Sequence, residues 1–275
     1  MTNTYAVIGD PIDHSLSPNI HNAAFRSLNL DSTYIAYRIP KGDLAAGIES
    51  LKAIKIAGFN VTIPHKIEMI KYLDVLDENC NLIGAVNTVS NDDGVLKGYN
   101  TDMIGFLDPI KKRNLTIKDT QVILLGAGGA ARAIVAAMVK EKAGKITIVN
   151  RTMENAIKLA EFAEKIGGNA DIVSVQKANE LIADYKFIIN STSIGMKNER
   201  WYHSISTENI GKDSIVYDIV YQPINTDLVK KSKENGATVI YGYEMLLAQA
   251  AKAFEIWHKT EAPYDVMKKA LLGGF

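Results

Sequence analysis

Short apolar runs and helical apolar stripes alternate along almost the whole chain. TYAVIG (4–9), TYIAYRI (33–39) and FNVTI (59–63) have the length and composition of strands. A helix from Ser17 to about Leu28 and another over about 43–55 separate them, with Ser17 expected as N-cap and Pro18 in the first turn. In FNVTI the polar Asn60 and Thr62 alternate with apolar residues, which predicts one wet and one dry face. A short helix is expected after Pro64, with Lys66 in its first turn. AVNTVS (85–90) and VLKGYN (95–100) flank Asn91-Asp92-Asp93-Gly94, a hairpin signal with Asp-Gly in the turn.

The pattern restarts near residue 101. QVILLG (121–126), KITIVN (145–150), KFIINST (186–192), SIVYDIV (214–220) and TVIYG (238–242) read as strands, and 130–141, 153–166 and 244–259 as helices. Strands alternating with helices predict an α/β fold with mainly parallel sheets. A length of 275 residues fits two domains.

Composition narrows the function classes. Lys plus Arg equal Asp plus Glu at 31 each, which gives no global field for nucleic acid or an acidic membrane surface. The expected partner is a small-molecule substrate. The single cysteine, Cys80, excludes an intramolecular disulfide and a Cys-based metal site, and His14, His21, His65, His203 and His258 lack tight metal-ligand spacing. MTNTYAVIGDP has no basic segment and no long apolar run, so the expected compartment is the cytoplasm.

GAGGAA (126–131) fits G-x-G-x-x-A directly after a strand and at the start of a helix, the context a dinucleotide requires. Gly126 suits the tight turn, Gly128 the approach of a pyrophosphate, and Ala131 close helix–strand packing. Ala127, Gly129 and Ala130 complete the candidate cofactor loop, whose helix offers free N–H groups to phosphate. The next strand ends in Asn150-Arg151-Thr152. An NAD site commonly has a carboxylate near here, whereas a guanidinium suits a 2′-phosphate, so NADP is expected. Thr192 and Ser193 in NSTSIGM (190–196) follow another strand end and suit a loop against a nicotinamide ribose, although such residues also favour plain turns.

On the other side of the chain, His14-Ser15-Leu16-Ser17-Pro18 places two hydroxyls at a helix start. Lys66 stands just beyond Asn60 and Thr62, Asn87 lies in GAVNT, and Asp102 closes GYNTD. Gln249 has Met245, Lys252, Ala253 and Ile256 at helical spacing, a mixed face on which an amide suits a polyol pocket. Together, YAVIGDPIDHSLSP, NVTIPHK, GAVNT, GYNTD, GAGGAARA, NRT, NSTSIGM, YDIVYQP and MLLAQAA, in that order, resemble the shikimate dehydrogenases over essentially the whole chain.

That resemblance implies an N-terminal α/β substrate domain (1–101 plus 243–275), a Rossmann-type NADP domain (102–242), and C-terminal helices that pack back on the first. It implies reversible NADPH-dependent reduction of 3-dehydroshikimate to shikimate, by a monomer or homodimer. Ser15 and Ser17 would hold the substrate carboxylate, with Tyr221 nearby. Asn60, Thr62, Asn87 and Gln249 would hold ring hydroxyls, and Lys66 and Asp102 would form the catalytic pair. Ile219 and Gly242 would join the cofactor residues.

The chain departs from the family in places. Asn155 stands where many NADP-using relatives carry a second arginine, Ile219 where methionine is frequent, and Tyr241 where aspartate is frequent. KNERWYH (197–203) lacks the prolines common in that loop. Rival readings are a quinate/shikimate dehydrogenase using NAD, a methylenetetrahydrofolate dehydrogenase, and a catalytically silent ligand sensor on the same scaffold.

Overall fold

A computed structural model describes residues 2–196 and 205–274, so the KNERWYH segment lies outside the described residues. The chain divides into two compact units, Met1–Gly105 with Leu247–Phe275, and Phe106–Leu246. Among the described residues each unit contains a six-stranded sheet. No helix described is long and apolar enough to cross a membrane.

In the first unit the strands are β1 (Asn3–Gly9), β2 (Ser32–Arg38), β3 (Gly58–Val61), β4 (Val75–Leu76), β5 (Thr88–Asp92) and β6 (Val95–Tyr99), in the order β2-β1-β3-β5-β6-β4. The helices are α1 (Ser17–Ser27), α2 (Leu44–Ala53) and α3 (Glu78–Ile83). β1 pairs parallel with β2 and β3, while β5 runs antiparallel to β3 and β6. With β4 parallel to β6, three of the five pairings are parallel, and the antiparallel β5–β6 pair is the expected hairpin. The hairpin turns at Asp93 and Gly94, both at positive φ (52° and 96°), as a tight two-residue turn requires.

β3 departs from its expected form twice. It ends at Val61, so Thr62 and Ile63 lie in the turn beyond it. All four of its residues are buried, Asn60 included, at 7% exposure. The turn 62–67 is anchored on both sides: Val61 and Met69 belong to one core cluster with Ile8, Ile48, Phe59 and Val89. Full burial of such side chains stabilises by roughly 1.5–3 kcal/mol each, which fixes the turn's ends. Lys66 precedes the five-residue 3-10 helix Glu68–Tyr72 rather than standing in its first turn.

α1 also begins differently. Its N-cap is Leu16, with Ser17 already helical and no side-chain cap. Elsewhere sequence pattern found no trace of the two-residue β4 or the short α3.

The second unit carries α4 (Asp102–Lys112, shared with the first), β7 (Gln121–Leu125), α5 (Ala131–Lys140), β8 (Lys145–Val149), α6 (Met153–Lys165), β9 (Ala170–Ile172), α7 (Val175–Leu181), β10 (Phe187–Asn190), β11 (Ile215–Asp218), α8 (Asp227–Glu234) and β12 (Thr238–Tyr241). Its sheet is parallel throughout, in the order β12-β11-β10-β7-β8-β9. The chain leaves β7 for β8 on one side and returns to β10 on the other. The carboxyl end of β7 is thus a switch point, where ligands of doubly wound sheets gather. Two final helices follow, α9 (Gly242–His258) and α10 (Tyr264–Leu272). α9 from Leu247 onward and all of α10 belong to the first unit, where α10 packs against α1.

There α9 closes an aromatic layer of Tyr5, His21, Phe25, Tyr34, Phe254, Trp257 and His258. Trp257 donates to the Val89 carbonyl at 2.9 Å and leaves no room for a side chain at Gly58. His21 is fully buried, and neither ring nitrogen meets a hydrogen-bond partner among the described residues. Burial, reinforced by His258 nearby, holds its pKa down at about 3.

Folding therefore favours neutral His21, while the unfolded chain takes up a proton near its ordinary pKa of ~6.5. The contribution is fully present above that value and is lost as pH falls toward about 3. Urea unfolding is expected to show stability declining below pH ~6.5, with ~1.4 kcal/mol per pH unit due to this one proton. His21→Phe removes that share of the slope. An unchanged slope in the variant contradicts the assignment.

Candidate active site and cofactor loop

Lys66 and Asp102 meet in the first unit. Lys66 Nζ lies 2.5 Å from Asp102 Oδ2, and both side chains are largely buried (19% and 11% exposed). Asp102 opens α4, as expected for an acid in a first turn. Its other oxygen accepts from Asn87 Nδ2 at 2.8 Å, and its backbone N–H donates to Asn100 Oδ1 at 3.1 Å. The carboxylate is thus held at both oxygens. An ion pair removed from water needs this saturation.

Asn87 is in turn locked. Its Oδ1 accepts the Thr101 N–H at 2.8 Å and the Thr88 hydroxyl at 3.0 Å, and its Nδ2 also reaches Thr101 Oγ1 at 3.0 Å. Thr101 continues the network to Gln249 Oε1 at 3.4 Å. The lysine's own backbone is tied down, since the Lys66 carbonyl accepts the Val86 N–H at 2.8 Å. Beside it, His65 is buried and its Nε2 lies 2.6 Å from the Ile39 carbonyl. A carbonyl only accepts, so that nitrogen carries the proton.

Asn60 sits in the same polar core, with Nδ2 donating to the Asn87 carbonyl at 3.1 Å and to Thr88 Oγ1 at 3.0 Å. Thr62 is half-buried at the strand's end. Its methyl approaches Gly9 so closely that a Cβ there would lie 2.4 Å away. Ser15 is not idle: its Oγ accepts the Ser17 N–H at 3.3 Å. Sequence reasoning did not single out Tyr34, Thr88, Asn100 or Thr101. The signal for Thr88 and Thr101 was present, since each adjoins an assigned residue in GAVNT or GYNTD.

In the second unit the loop after β7 has the expected form. Gly126 has φ +100°, and a Cβ there would stand 2.8 Å from Thr192 Cγ2 and 2.9 Å from Ser191 Oγ. Gly128 is different. It is exposed, and a Cβ would meet no atom of the described residues within 4 Å. Nothing in the fold demands glycine there, and the bare backbone fits an approaching pyrophosphate. Ala131 is fully buried against the sheet. Ala127 donates its N–H to Asn150 Oδ1 at 3.1 Å, and Asn150 Nδ2 reaches the Thr152 carbonyl at 2.8 Å. Asn150 therefore shapes the loop. Arg151, Thr152 and Asn155 are exposed, at and just beyond the N-terminus of α6.

Thr192 is oriented by Asn190 Oδ1, which accepts its N–H at 3.0 Å and its hydroxyl at 2.6 Å. Asn190 also donates to the buried Asp218 at 2.8 Å. Asp218 accepts from Thr226 and the Val220 N–H as well, and burial pushes its carboxyl pKa up against those bonds. These contacts fix the segment that holds Ile219 and Tyr221. Burial raises the Tyr221 phenol's pKa. Gly242 has a packing reason of its own, because a Cβ would lie 2.4 Å from the Ile219 carbonyl oxygen.

Residues 7–89 match the shikimate dehydrogenase substrate binding domain, 110–226 the shikimate / quinate 5-dehydrogenase family, and 242–272 the shikimate 5′-dehydrogenase C-terminal domain. A shikimate dehydrogenase (NADP(+)) of Nitrosopumilus maritimus is 66% identical over the full length of both chains. A shikimate dehydrogenase solved in complex with NADP+ superposes with a TM-score of 0.92 at 40% identity, covering 99% of this chain and 95% of the other. The Thermus thermophilus enzyme, solved with NADP(H) and shikimate, gives 0.87 at 32% identity, covering 99% and 100%.

The two loop glycines are expected to separate in solution. Gly128→Ala leaves the melting curve within about 0.5 kcal/mol of the parent and weakens NADPH binding measured by fluorescence titration. Gly126→Ala destabilises the fold by about 1–3 kcal/mol, from strained backbone and the clash with Thr192. Undiminished NADPH affinity in Gly128→Ala contradicts the cofactor assignment.

Proposed function

The chain belongs to the shikimate dehydrogenase family, and from that premise we propose that Lys66 and Asp102 are its catalytic pair. The reaction is the reversible NADPH-dependent reduction of 3-dehydroshikimate to shikimate. The observation that carries the assignment is the 2.5 Å Lys66–Asp102 contact, with the second carboxylate oxygen held by Asn87.

NADPH, when bound, supplies the hydride. The chain's part is to orient the ketone and to handle charge and proton at its oxygen. An ammonium has three N–H donors, and Asp102 takes one. The other two are available to the substrate oxygen, where negative charge develops as the carbonyl is reduced. Lys66 stabilises that charge and delivers the proton; in the reverse direction it accepts one. Asp102 fixes where the ammonium points, and Asn87 fixes Asp102. Ser15 and Ser17 take the carboxylate, with Tyr221 contributing at that end, and Asn60, Thr62, Asn87 and Gln249 take the ring hydroxyls.

On the cofactor side, the loop 126–130 and the N-terminus of α5 accommodate the pyrophosphate. Arg151, with Thr152 and Asn150 beside it, takes the 2′-phosphate. Thr192, Ser193, Ile219 and Gly242 line the nicotinamide end. Asn155 leaves Arg151 without the second arginine of many relatives, so the phosphate rests on a single guanidinium.

The shikimate / quinate description of the family matching 110–226 favours one second reading, a broader quinate/shikimate dehydrogenase. One assay separates the two: cofactor reduction followed by absorbance, offering NADP+ and NAD+ separately, with shikimate and then quinate. Fast reduction of NADP+ with shikimate alone is the expected result. Comparable rates with quinate or NAD+ move the chain to the broader class. Silence with every pair from folded, cofactor-binding protein leaves the ligand-sensor reading.

Two variants test the residues. Lys66→Ala is expected to lower kcat by roughly 10²–10⁴-fold, the usual weight of a positioned acid–base group, with KM for NADPH near the parent value; undiminished turnover removes Lys66 from the mechanism. Arg151→Ala is expected to raise KM for NADPH and leave NADH use unchanged. Equal effects on both cofactors contradict the 2′-phosphate role.

A further inference from the structure

We infer that Tyr34 is a positioning residue of the substrate site, holding Asn60 through its hydroxyl and leaving Asn60 to meet the substrate only as an acceptor. This deepens, and rests on, the reading of Asn60 as a substrate contact.

The orientation of the Asn60 amide follows from its neighbours. The Asn87 carbonyl only accepts, so the atom facing it at 3.1 Å is Nδ2. The other Nδ2 proton goes to Thr88 Oγ1 at 3.0 Å. Oδ1 then faces the Tyr34 hydroxyl at 2.6 Å, and the phenol must be the donor. Both Asn60 donors are occupied, and what remains is one lone pair on Oδ1. A substrate hydroxyl satisfies it. A substrate carbonyl or ether oxygen at the same place sets two acceptors face to face.

Tyr34 has one hydroxyl proton, committed to Asn60. Burial holds the phenol well above its usual pKa, against the pull of Ser17, so it remains protonated at neutral pH.

The ring is held from behind by consecutive residues of α1. His21 stacks on it, with ring centroids 4.5 Å apart and planes inclined by 10°. The Asn22 amide clamps the Tyr34 backbone, accepting its N–H at 2.9 Å and donating to its carbonyl at 2.8 Å. The helix that presents Ser17 thus also fixes the tyrosine that fixes Asn60.

The test is a kinetic cycle of Tyr34→Phe, Asn60→Ala and the double variant, with Tyr5→Phe as a control that removes a hydroxyl from the same aromatic layer. Tyr34→Phe is expected to raise KM for shikimate roughly tenfold, about the worth of one well-placed hydrogen bond, with KM for NADP+ unchanged. In the Asn60→Ala background it adds no further rise, and Tyr5→Phe leaves KM for shikimate alone. A purely structural role gives instead an additive rise and moves both KM values, which overturns the proposal. So does Tyr34→Phe with the parent KM for shikimate while Asn60→Ala raises it. If Asn60→Ala itself leaves KM unchanged, the substrate-side reading fails and this inference with it.

Should Tyr34→Phe prove unfolded by circular dichroism, the parent enzyme decides with shikimate analogues bearing fluorine in place of each ring hydroxyl in turn. Fluorine cannot donate. At the position whose replacement makes no further difference in Asn60→Ala, binding to the parent is expected to weaken roughly tenfold. A set of fluoro analogues that all bind like shikimate overturns the proposal.

Discussion

A lysine ammonium largely removed from water must be paired, and its partner must be satisfied in turn. The Lys66–Asp102 contact sets that constraint, and much of the first unit follows from it. Lys66 rides on a turn whose ends are fixed by Val61 and Met69 in the core. Asp102 opens a helix directly after β6. Between them Asn87 bonds to the carboxylate and is itself held by Thr88 and Thr101. Three separate stretches of chain converge, and no member of the network leaves Asp102 with an oxygen unpartnered.

The two units solve opposite problems. The substrate side is crowded with short hydrogen bonds that settle, before any ligand arrives, which atoms donate and which accept. The cofactor side is bare at its most important point. A Cβ at Gly128 would meet no atom of the described residues within 4 Å, while one at Gly126 would crowd Ser191 and Thr192. Packing accounts for Gly126 but not for Gly128. The same distinction separates Gly242, which the Ile219 backbone forbids to change, from Arg151, which stands exposed.

Much of this was legible in the sequence where local chemistry sufficed. Asp93-Gly94 announced the hairpin, and GAGGAA after a strand announced the cofactor loop. Long apolar runs gave the parallel sheet of the second unit. What local pattern could not show was pairing across distance. Nothing in spacing puts Lys66 beside Asp102; only the ordered motifs of a family suggested it. The alternation in FNVTI misread Asn60 as solvent-facing, because a buried amide bonded to Tyr34, Asn87 and Thr88 looks in sequence like an exposed one. Ser17 looked like a cap because Ser-Pro is a capping signal, yet the helix begins one residue earlier and Ser15 supplies the hydroxyl. β4 and α3 are too short for periodicity to register, although Asp77 caps α3 and Gly84 ends it.

The central claim is that Lys66 and Asp102 act as one unit. A cycle of turnover numbers for parent, Lys66→Ala, Asp102→Asn and the double variant tests it most directly, since groups acting together lose their function only once. The account predicts a double variant no slower than the slower single variant, with NADPH affinity preserved throughout. Losses that multiply, as for two independent contributions, would contradict it.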